Sequence, residues 1–268
     1  MNPVVETYSR LANEYDDPAN IGSCWGRVSR DSLDFIKLAG KHKVIADIGC
    51  GTGREIALLA SRHSSEVRFI GVEPAANMRK VAISRAAEYT NVRILDGCFE
   101  SLPLESQSVD YMYSILAFHW TTDLEKSVRE LARVLKPDGE MDLTFIGRHN
   151  GREFIQKTTP VFFKHMTPAL MIEAVSLRKH LTIETAFTLF GKAFDSPGLN
   201  VTESYHTYYD TLEGHWGWWV RIEGQFVNVP IATRAECDRA VKAAISTLAT
   251  DNGIPYTVHL LHVRLSRG

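Results

Sequence analysis

The stretch Val44-Ile45-Ala46-Asp47-Ile48-Gly49-Cys50-Gly51-Thr52-Gly53-Arg54-Glu55-Ile56 runs from an apolar strand pattern into three alternate glycines and then into a helix start. That order brings bare backbone to the end of a buried strand. Glycine permits positive φ and close approach to a ligand, and the first turn of a helix presents free N–H groups at the positive end of its dipole. Such a corner suits an anionic or electron-rich small molecule. The nearest competing pattern is the dinucleotide fingerprint G-x-G-x-x-G, but Arg54 stands where its third glycine belongs and the third glycine comes one residue early, at Gly53. The spacing speaks against a nicotinamide or flavin dinucleotide, and with it against an oxidoreductase.

Four further segments follow in order. Phe69-Ile70-Gly71-Val72-Glu73 ends a second strand pattern in a carboxylate twenty residues after Gly53, placed to accept hydrogen bonds from ribose hydroxyls. Then come Gly97-Cys98-Phe99-Glu100-Ser101-Leu102-Pro103, Ser108-Val109-Asp110-Tyr111-Met112-Tyr113-Ser114 and Arg133-Val134-Leu135-Lys136-Pro137-Asp138-Gly139-Glu140. Together with Asp47, Gly49, Gly51 and Gly53 these segments resemble the class I S-adenosylmethionine-dependent methyltransferases, of the small-molecule type that includes the malonyl-carrier-protein and trans-aconitate enzymes. The resemblance implies S-adenosylmethionine as cofactor and S-adenosylhomocysteine as its product. It implies a cofactor site made of Tyr15, Asp47, Gly49, Cys50, Gly51, Gly53, Glu73, Met78, Cys98, Phe99 and Ser114, with Glu73 on the ribose and the Cys98 segment beside the adenine. Tyr8 and Tyr15 resemble tyrosines that cap the methionine end of the cofactor in relatives, and simple helix packing is their alternative. Many relatives carry Asp where this chain has Cys98, and a thiol is a poor acceptor. Adenine recognition therefore falls to backbone groups around Cys98 and Phe99. Met78 offers a polarizable sulfur to the adenine edge.

Methyl transfer from a sulfonium is an in-line displacement that desolvation and alignment can drive, so it demands no universal catalytic residue. An acceptor that must lose a proton gains from a base with a pKa near neutrality, whereas a thiolate or carboxylate needs none. His119, in Ala117-Phe118-His119-Trp120-Thr121-Thr122-Asp123, is the candidate base because it follows the fourth strand at the edge where open parallel sheets bind ligands. A His-Trp pair recurs at this place in the resembled relatives, which also allows a packing or shielding role. His119, Trp120 and Trp216 are the candidate acceptor contacts. Trp216 belongs to Gly214-His215-Trp216-Gly217-Trp218-Trp219, whose three indoles cannot all face one core, leaving at least one for a pocket or a subunit contact.

Positioning these groups requires alternating strands and helices, and the periodicity supplies them. Strands are expected at 44–48, 67–72, 92–95, 109–114 and 140–146, with helices at 54–61, 75–89 and 124–135, an alternation that implies a parallel sheet with helices on both faces. Residues 7–38 carry helical spacing interrupted by Asp16-Asp17-Pro18, which predicts two helices, and the resemblance implies that they cover the cofactor. After Arg148 the pattern turns helical as far as about Lys192, so residues 150–196 are expected to form a helical cap inserted between the fifth and sixth strands. A strand at 201–209, a helix at 235–249 and a last strand at 256–265 follow, and the resemblance implies a final antiparallel pair. The expected fold class is α/β, a Rossmann-like doubly wound seven-stranded sheet, with residues 1–268 as a single domain.

The chain has 268 residues, 44% of them hydrophobic, enough to bury a sizeable core, and its net charge is −2. No run of Lys or Arg exceeds two residues, so the electrostatic footprint of a nucleic-acid binder is missing. The four cysteines are dispersed, with no C-x-x-C pair or metal-ligand spacing, and read as reduced thiols. No apolar stretch is long enough for a bilayer and the N-terminus carries no charged-then-apolar leader, so a cytoplasmic protein is expected, with neither membrane, nucleic acid nor metal, as a monomer or homodimer. The expected function is methyl transfer from S-adenosylmethionine to a small-molecule acceptor, with O- or C-methylation of a hydrophobic or mixed-polarity metabolite foremost. The alternatives are a carrier-protein-bound acyl group or protein as acceptor, and a non-catalytic S-adenosylmethionine-binding module.

Overall fold

Apolar runs without alternation become strands covered on both faces: all five residues of β1 (Val44–Ile48) are buried, as are most of β4 (Val109–Ile115). The computed structural model describes residues 3–218 and 229–266. In it β1 and β4 form the centre of a seven-stranded sheet completed by β2 (Arg68–Val72), β3 (Val92–Leu95), β5 (Leu135–Ile146), β6 (Leu199–Asp210) and β7 (Ile254–Leu265). The order is β3-β2-β1-β4-β5-β7-β6. β1 to β5 pair in parallel, and β7 runs antiparallel to both β5 and β6. The chain order reverses between β1 and β4, which opens a crevice at their carboxyl ends.

The two faces of β1 sort by residue parity. Ile45 packs with Ile56, Leu59 and Ala60 of α4 (Arg54–Ser61), together with Phe69, Tyr111 and Tyr113. Ala46 and Ile48 face the opposite layer, with Leu131 and Val134 of α6 (Leu124–Val134) and Ala186, Phe190 and Phe194 of α9 (Ile183–Phe194). Between α4 and α6, α5 (Ala76–Ala86) connects β2 to β3. The expected strand at residue 140 starts earlier, at Leu135, because Leu135 already pairs with Val109 before a register shift brings Glu140 opposite Tyr111.

Before β1 the structure has three α-helices where two are expected: α1 (Pro3–Leu11), α2 (Pro18–Gly22) and α3 (Cys24–Ser32). The extra break is at Ser23, whose extended backbone and hydroxyl cap the next helix by accepting from Gly26 N at 3.4 Å. Gly26 allows the tight turn, since a Cβ there would lie 2.1 Å from the Ile21 carbonyl oxygen.

The segment between β5 and β6 contains α7 (Arg152–His165), α8 (Pro168–Ser176) and α9. α9 belongs to the main core through Phe190, and α7 packs Phe154 and Phe162 with Cys237, Val241 and Ile245 of α11 (Ile231–Ser246). α8 differs: none of its residues is fully buried, and Ile172 is 72% exposed. α10 (Leu212–Trp218) and α11 lie between the antiparallel strands β6 and β7. No described helix is long and apolar enough to cross a membrane.

Candidate active site

The glycine loop is held by its backbone. Gly49 N and Cys50 N both donate to Val72 O at the end of β2, at 2.8 and 3.1 Å, so the loop folds over the β1–β2 edge. Gly49 and Gly51 have φ of +79° and +57°. At Gly49 a Cβ would lie 2.4 Å from Ala117 Cβ, whereas around Gly51 there is open space. The wall at Gly51 is therefore main chain facing a cleft. Arg85 pins the far side of the loop by donating to Thr52 O at 2.6 Å and to Asp16 at 2.8 Å.

Glu73 closes the corner. Its carboxylate accepts from Gly51 N at 2.9 Å and from Ala75 N at 2.7 Å, tying the glycine loop to the turn after β2. Arg79 braces that turn from α5, donating to Glu73 O at 2.8 Å and to Asp96 at 3.0 Å. Burial pushes the Glu73 carboxyl up, and the two backbone donors oppose the shift.

The cleft bounded by this corner is lined by Tyr15, Gly49, Gly51, Glu73, Met78, Cys98 and Phe99, seven of the residues expected at the cofactor site. Trp120 lines it as well. The other four expected cofactor residues stand behind the wall. Asp47 is 2% exposed, opposite Tyr113 in register, and its carboxyl is pushed well up by burial and then by the charge of Glu55. Cys50 is buried against Gly71 and Ser114 is buried within β4, while Gly53 is the left-handed N-cap of α4. These four shape or charge the loop from beneath and are not part of the lining.

Tyr8, expected as a cap on the cofactor, and residues that motif reading passed over complete the cleft. α1 lies over it, tied to α5 by Asn77 N and Nδ2 donating to Ser9, and contributes Val4, Val5 and Tyr8. Glu100 and Thr121 add polar groups. Although burial works against it, Glu100 is held low by hydrogen bonds from Thr122 and from Asp123 N. Thr121 Oγ1 is buried with no hydrogen-bond partner, a donor and acceptor in want of a ligand. Cys98 is half-buried and its thiol is pushed up by burial and then by Glu100, so it stays protonated. The bare main chain at Gly51, the Glu73 carboxylate, the orphaned Thr121 hydroxyl and the apolar sides of Met78 and Phe99 together fit a nucleoside with a polar tail.

β4 ends in strain. Leu116 has φ of +55°, a left-handed conformation that costs a branched-chain residue about 1–3 kcal/mol. It turns the chain into the short 3₁₀ turn Phe118–Trp120, which crosses above the sheet edge. On the other side of this turn is a second compartment, lined by Tyr8, Tyr15, Trp25, Leu116, His119, Trp120, Ile146 and Arg178. Tyr8, Tyr15, Leu116 and Trp120 border both spaces. Arg178 comes from the link between α8 and α9, which is docked on the turn by Lys179 N donating to His119 O at 2.8 Å. Its guanidinium lies 4.9 Å from the Trp120 ring centre.

His119, the candidate base, is 3% exposed. Burial, then the charge of Arg178 and then that of His180, hold its pKa well below the ordinary histidine value, so the ring is neutral. Nδ1 accepts from Ile146 N at 3.4 Å, which leaves the proton on Nε2. A ring in that tautomer offers a donor and keeps no free lone pair for a base. Trp216 lies away from both spaces, half-buried beside Trp218 and Val241 with the Lys242 ammonium 4.6 Å from its ring centre. Trp218 is buried in that same cluster, and Trp219 falls outside the described residues. Among the described residues no group of His, Cys, Asp and Glu is arranged to hold a metal ion.

Residues 46–141 match the family described as a methyltransferase domain. The chain is 27% identical over 217 residues to a malonyl-[acyl-carrier protein] O-methyltransferase of Methylovorus sp., covering 79% of this chain and 69% of that protein. It is 28% identical over 179 residues to a ubiquinone/menaquinone biosynthesis C-methyltransferase of Campylobacter jejuni, covering 62% of this chain and 73% of that protein. Among solved structures, the YcgJ protein of Bacillus subtilis has the same fold, with a TM-score of 0.60 at 21% identity over 91% of this chain and 99% of that one.

Proposed function

Because the chain belongs to the class I S-adenosylmethionine-dependent methyltransferases, we propose that it methylates a small molecule of hydrophobic or mixed polarity, at oxygen or carbon, held in the compartment behind the Phe118–Trp120 turn. The carrying observation is that compartment itself: a space walled by Tyr8, Tyr15, Trp25, Leu116, Trp120 and Ile146, sharing four of its walls with the cofactor cleft. Bound S-adenosylmethionine supplies a sulfonium-activated methyl group. The protein's part is to seat the two reactants on either side of the Tyr8, Tyr15, Leu116 and Trp120 partition, to exclude water with α1, and to align them for displacement. In this reading Glu73 holds the ribose, Met78 and Phe99 flank the adenine, and His119 donates a hydrogen bond from Nε2.

The insertion covers the acceptor, and its moving part is α8 with the link at 177–181. α7 and α9 are anchored in cores, while α8 buries no residue fully. A second reading, an acyl group carried on an acidic protein, is favoured by charge: residues 148–180 hold six Lys or Arg against two Glu, in a chain of net charge −2. Incubating the protein with methyl-labelled cofactor and fractionated metabolite or protein extracts separates the two. Label in small molecules is expected; label appearing only in the protein fraction would move the assignment to the carrier.

A further inference from the structure

α8 departs from the pattern of a surface helix, which turns its polar residues outward. Its sequence, Pro-Ala-Leu-Met-Ile-Glu-Ala-Val-Ser, carries a single charge, and its inner face, with Leu170 and Met171, packs only partly against the cluster that holds Phe154 and Phe162 of α7. The outer face is apolar as well: Ile172 is 72% exposed and Val175 59%. Phe163, 63% exposed, stands on the side of α7 away from the buried Phe154, Thr158 and Phe162. α7 and α8 touch and share the inner cluster, so their outer faces turn away from the same core. Among the described residues, half of the large apolar side chains left exposed lie in the stretch 155–187, a concentration unlike the scattered single residues of an ordinary surface.

Basic residues rim this surface. Lys157 and Lys164 are exposed on α7 and Lys179 follows α8, within a stretch, 148–180, that holds six Lys or Arg against two Glu. One of those two acids, Glu153, is already committed, accepting from Thr257 N. Apolar side chains standing out among lysines match the interface of an anionic bilayer, where the side chains enter the acyl boundary and the ammonium groups meet the headgroups. We propose that the outer face of α8 and the end of α7 form a docking surface for an anionic lipid bilayer, which the protein binds peripherally. A second copy fits less well, because two-fold pairing of this surface would set its basic rims against each other. A folded protein partner fits less well too: it needs a shape-matched patch, whereas Phe163, Ile172 and Val175 protrude and suit a fluid surface. The expectation of a protein without a membrane partner is drawn from spanning segments alone, and a surface contact needs none. The Lys179 N to His119 O contact fastens the end of this surface to the turn over the acceptor compartment, so an apolar acceptor dissolved in the bilayer would meet the protein beside its own site. Only that last step rests on the small-molecule reading above.

The test uses the whole chain and needs no turnover. The protein is sedimented with vesicles of phosphatidylcholine alone and of phosphatidylcholine mixed in equal parts with phosphatidylglycerol. Partition onto the anionic vesicles should be stronger by about tenfold or more, and should fall sharply between about 0.1 M and about 1 M salt, where the screening length shrinks from about 10 Å to about 3 Å. Lys157→Gln and Lys164→Gln should each weaken it about fivefold. Ile172→Glu should weaken it about tenfold or more with melting temperature and S-adenosylhomocysteine affinity unchanged, because the side chain is exposed and outside the cleft. Ile83→Glu, at an exposed apolar residue of α5, should bind vesicles as wild type does. Failure to sediment with anionic vesicles, equal partition onto both kinds, or wild-type binding by Ile172→Glu would each overturn the inference. An oligomer that Ile172→Glu dissociates, in a protein that ignores vesicles, would assign the surface to a second copy instead. Label found only in protein fractions of the extract experiment would remove the small-molecule reading and leave vesicle binding as it stands, so the two fail separately.

Discussion

Replacing Glu73 by Ala strikes the joint between the glycine loop and the turn after β2. The carboxylate there accepts from Gly51 N at 2.9 Å and Ala75 N at 2.7 Å, and its charge is also the group expected to meet the ribose. Hydrogen bonds to a charged group contribute about 1.5–3 kcal/mol, so loss of the ribose contact alone should weaken cofactor affinity about 10- to 150-fold. The two backbone donors fare differently after truncation. Ala75 N is buried and costs about 1–3 kcal/mol if left without an acceptor, while Gly51 borders the cleft and is open to rehydration. The variant should therefore unfold at a lower temperature but still cooperatively. Glu73→Gln is the control: it keeps one acceptor oxygen, turns an N–H toward the second donor, and sheds the cost of burying a charge, visible in the raised carboxyl pKa. Its stability should lie near wild type and its affinity between wild type and Ala. Calorimetric titration with S-adenosylhomocysteine, beside thermal melts of all three proteins, reads both effects. A folded Glu73→Ala protein with affinity within twofold of wild type would refute the reasoning and leave Glu73 as a purely structural brace.

Gly51→Val should abolish S-adenosylhomocysteine binding while sparing much of the fold, because the side chain meets only the open cleft but is strained at φ +57°; normal binding by the variant would remove the loop from the site. His119→Ala is expected to raise KM for the acceptor with kcat little changed, and His119→Asn, which can still donate, to recover most of the loss; a hundredfold fall in kcat in both variants would restore His119 as the base. Hydrogen exchange should slow on cofactor and acceptor binding in residues 168–181 and change little in α7 and α9, and uniform protection throughout would make α8 a static element. Burial, then the charges of His206 and His259, lower His262 from 6.5 to about 4, so the folded state favours its neutral ring and the unfolded chain takes up the proton first. The stability this supplies is complete above the unfolded value and is lost as pH falls through the window from about 6.5 to about 4. Denaturant melts should show His262→Asn losing about 2 kcal/mol less than wild type between pH 7 and pH 5; parallel losses would contradict it.

How far the sequence speaks depends on whether a feature is contiguous. The buried run into Gly49 and Gly51, the acid ending β2, and the segments at Cys98 and Trp120 are legible because strand, turn and ligand-facing backbone follow one another along the chain, and all four border the cleft. The alternation of strand and helix patterns was enough for the α/β class and for the helices between β5 and β6, since periods of two and near four are local properties. Direction within a motif was not legible. Asp47, Cys50, Gly53 and Ser114 share the motifs of the lining residues, yet backbone turns place them behind the wall. Trp216 looked available because its neighbours crowd it, but α11 brings Lys242 onto its ring, away from the cleft. Trp25 and Arg178, separated by about 150 residues, carry no motif at all. Only the docking of α3 and of the α8–α9 link against the turn after β4 brings them into one compartment, because that meeting depends on packing between distant elements, which no local pattern of residues records.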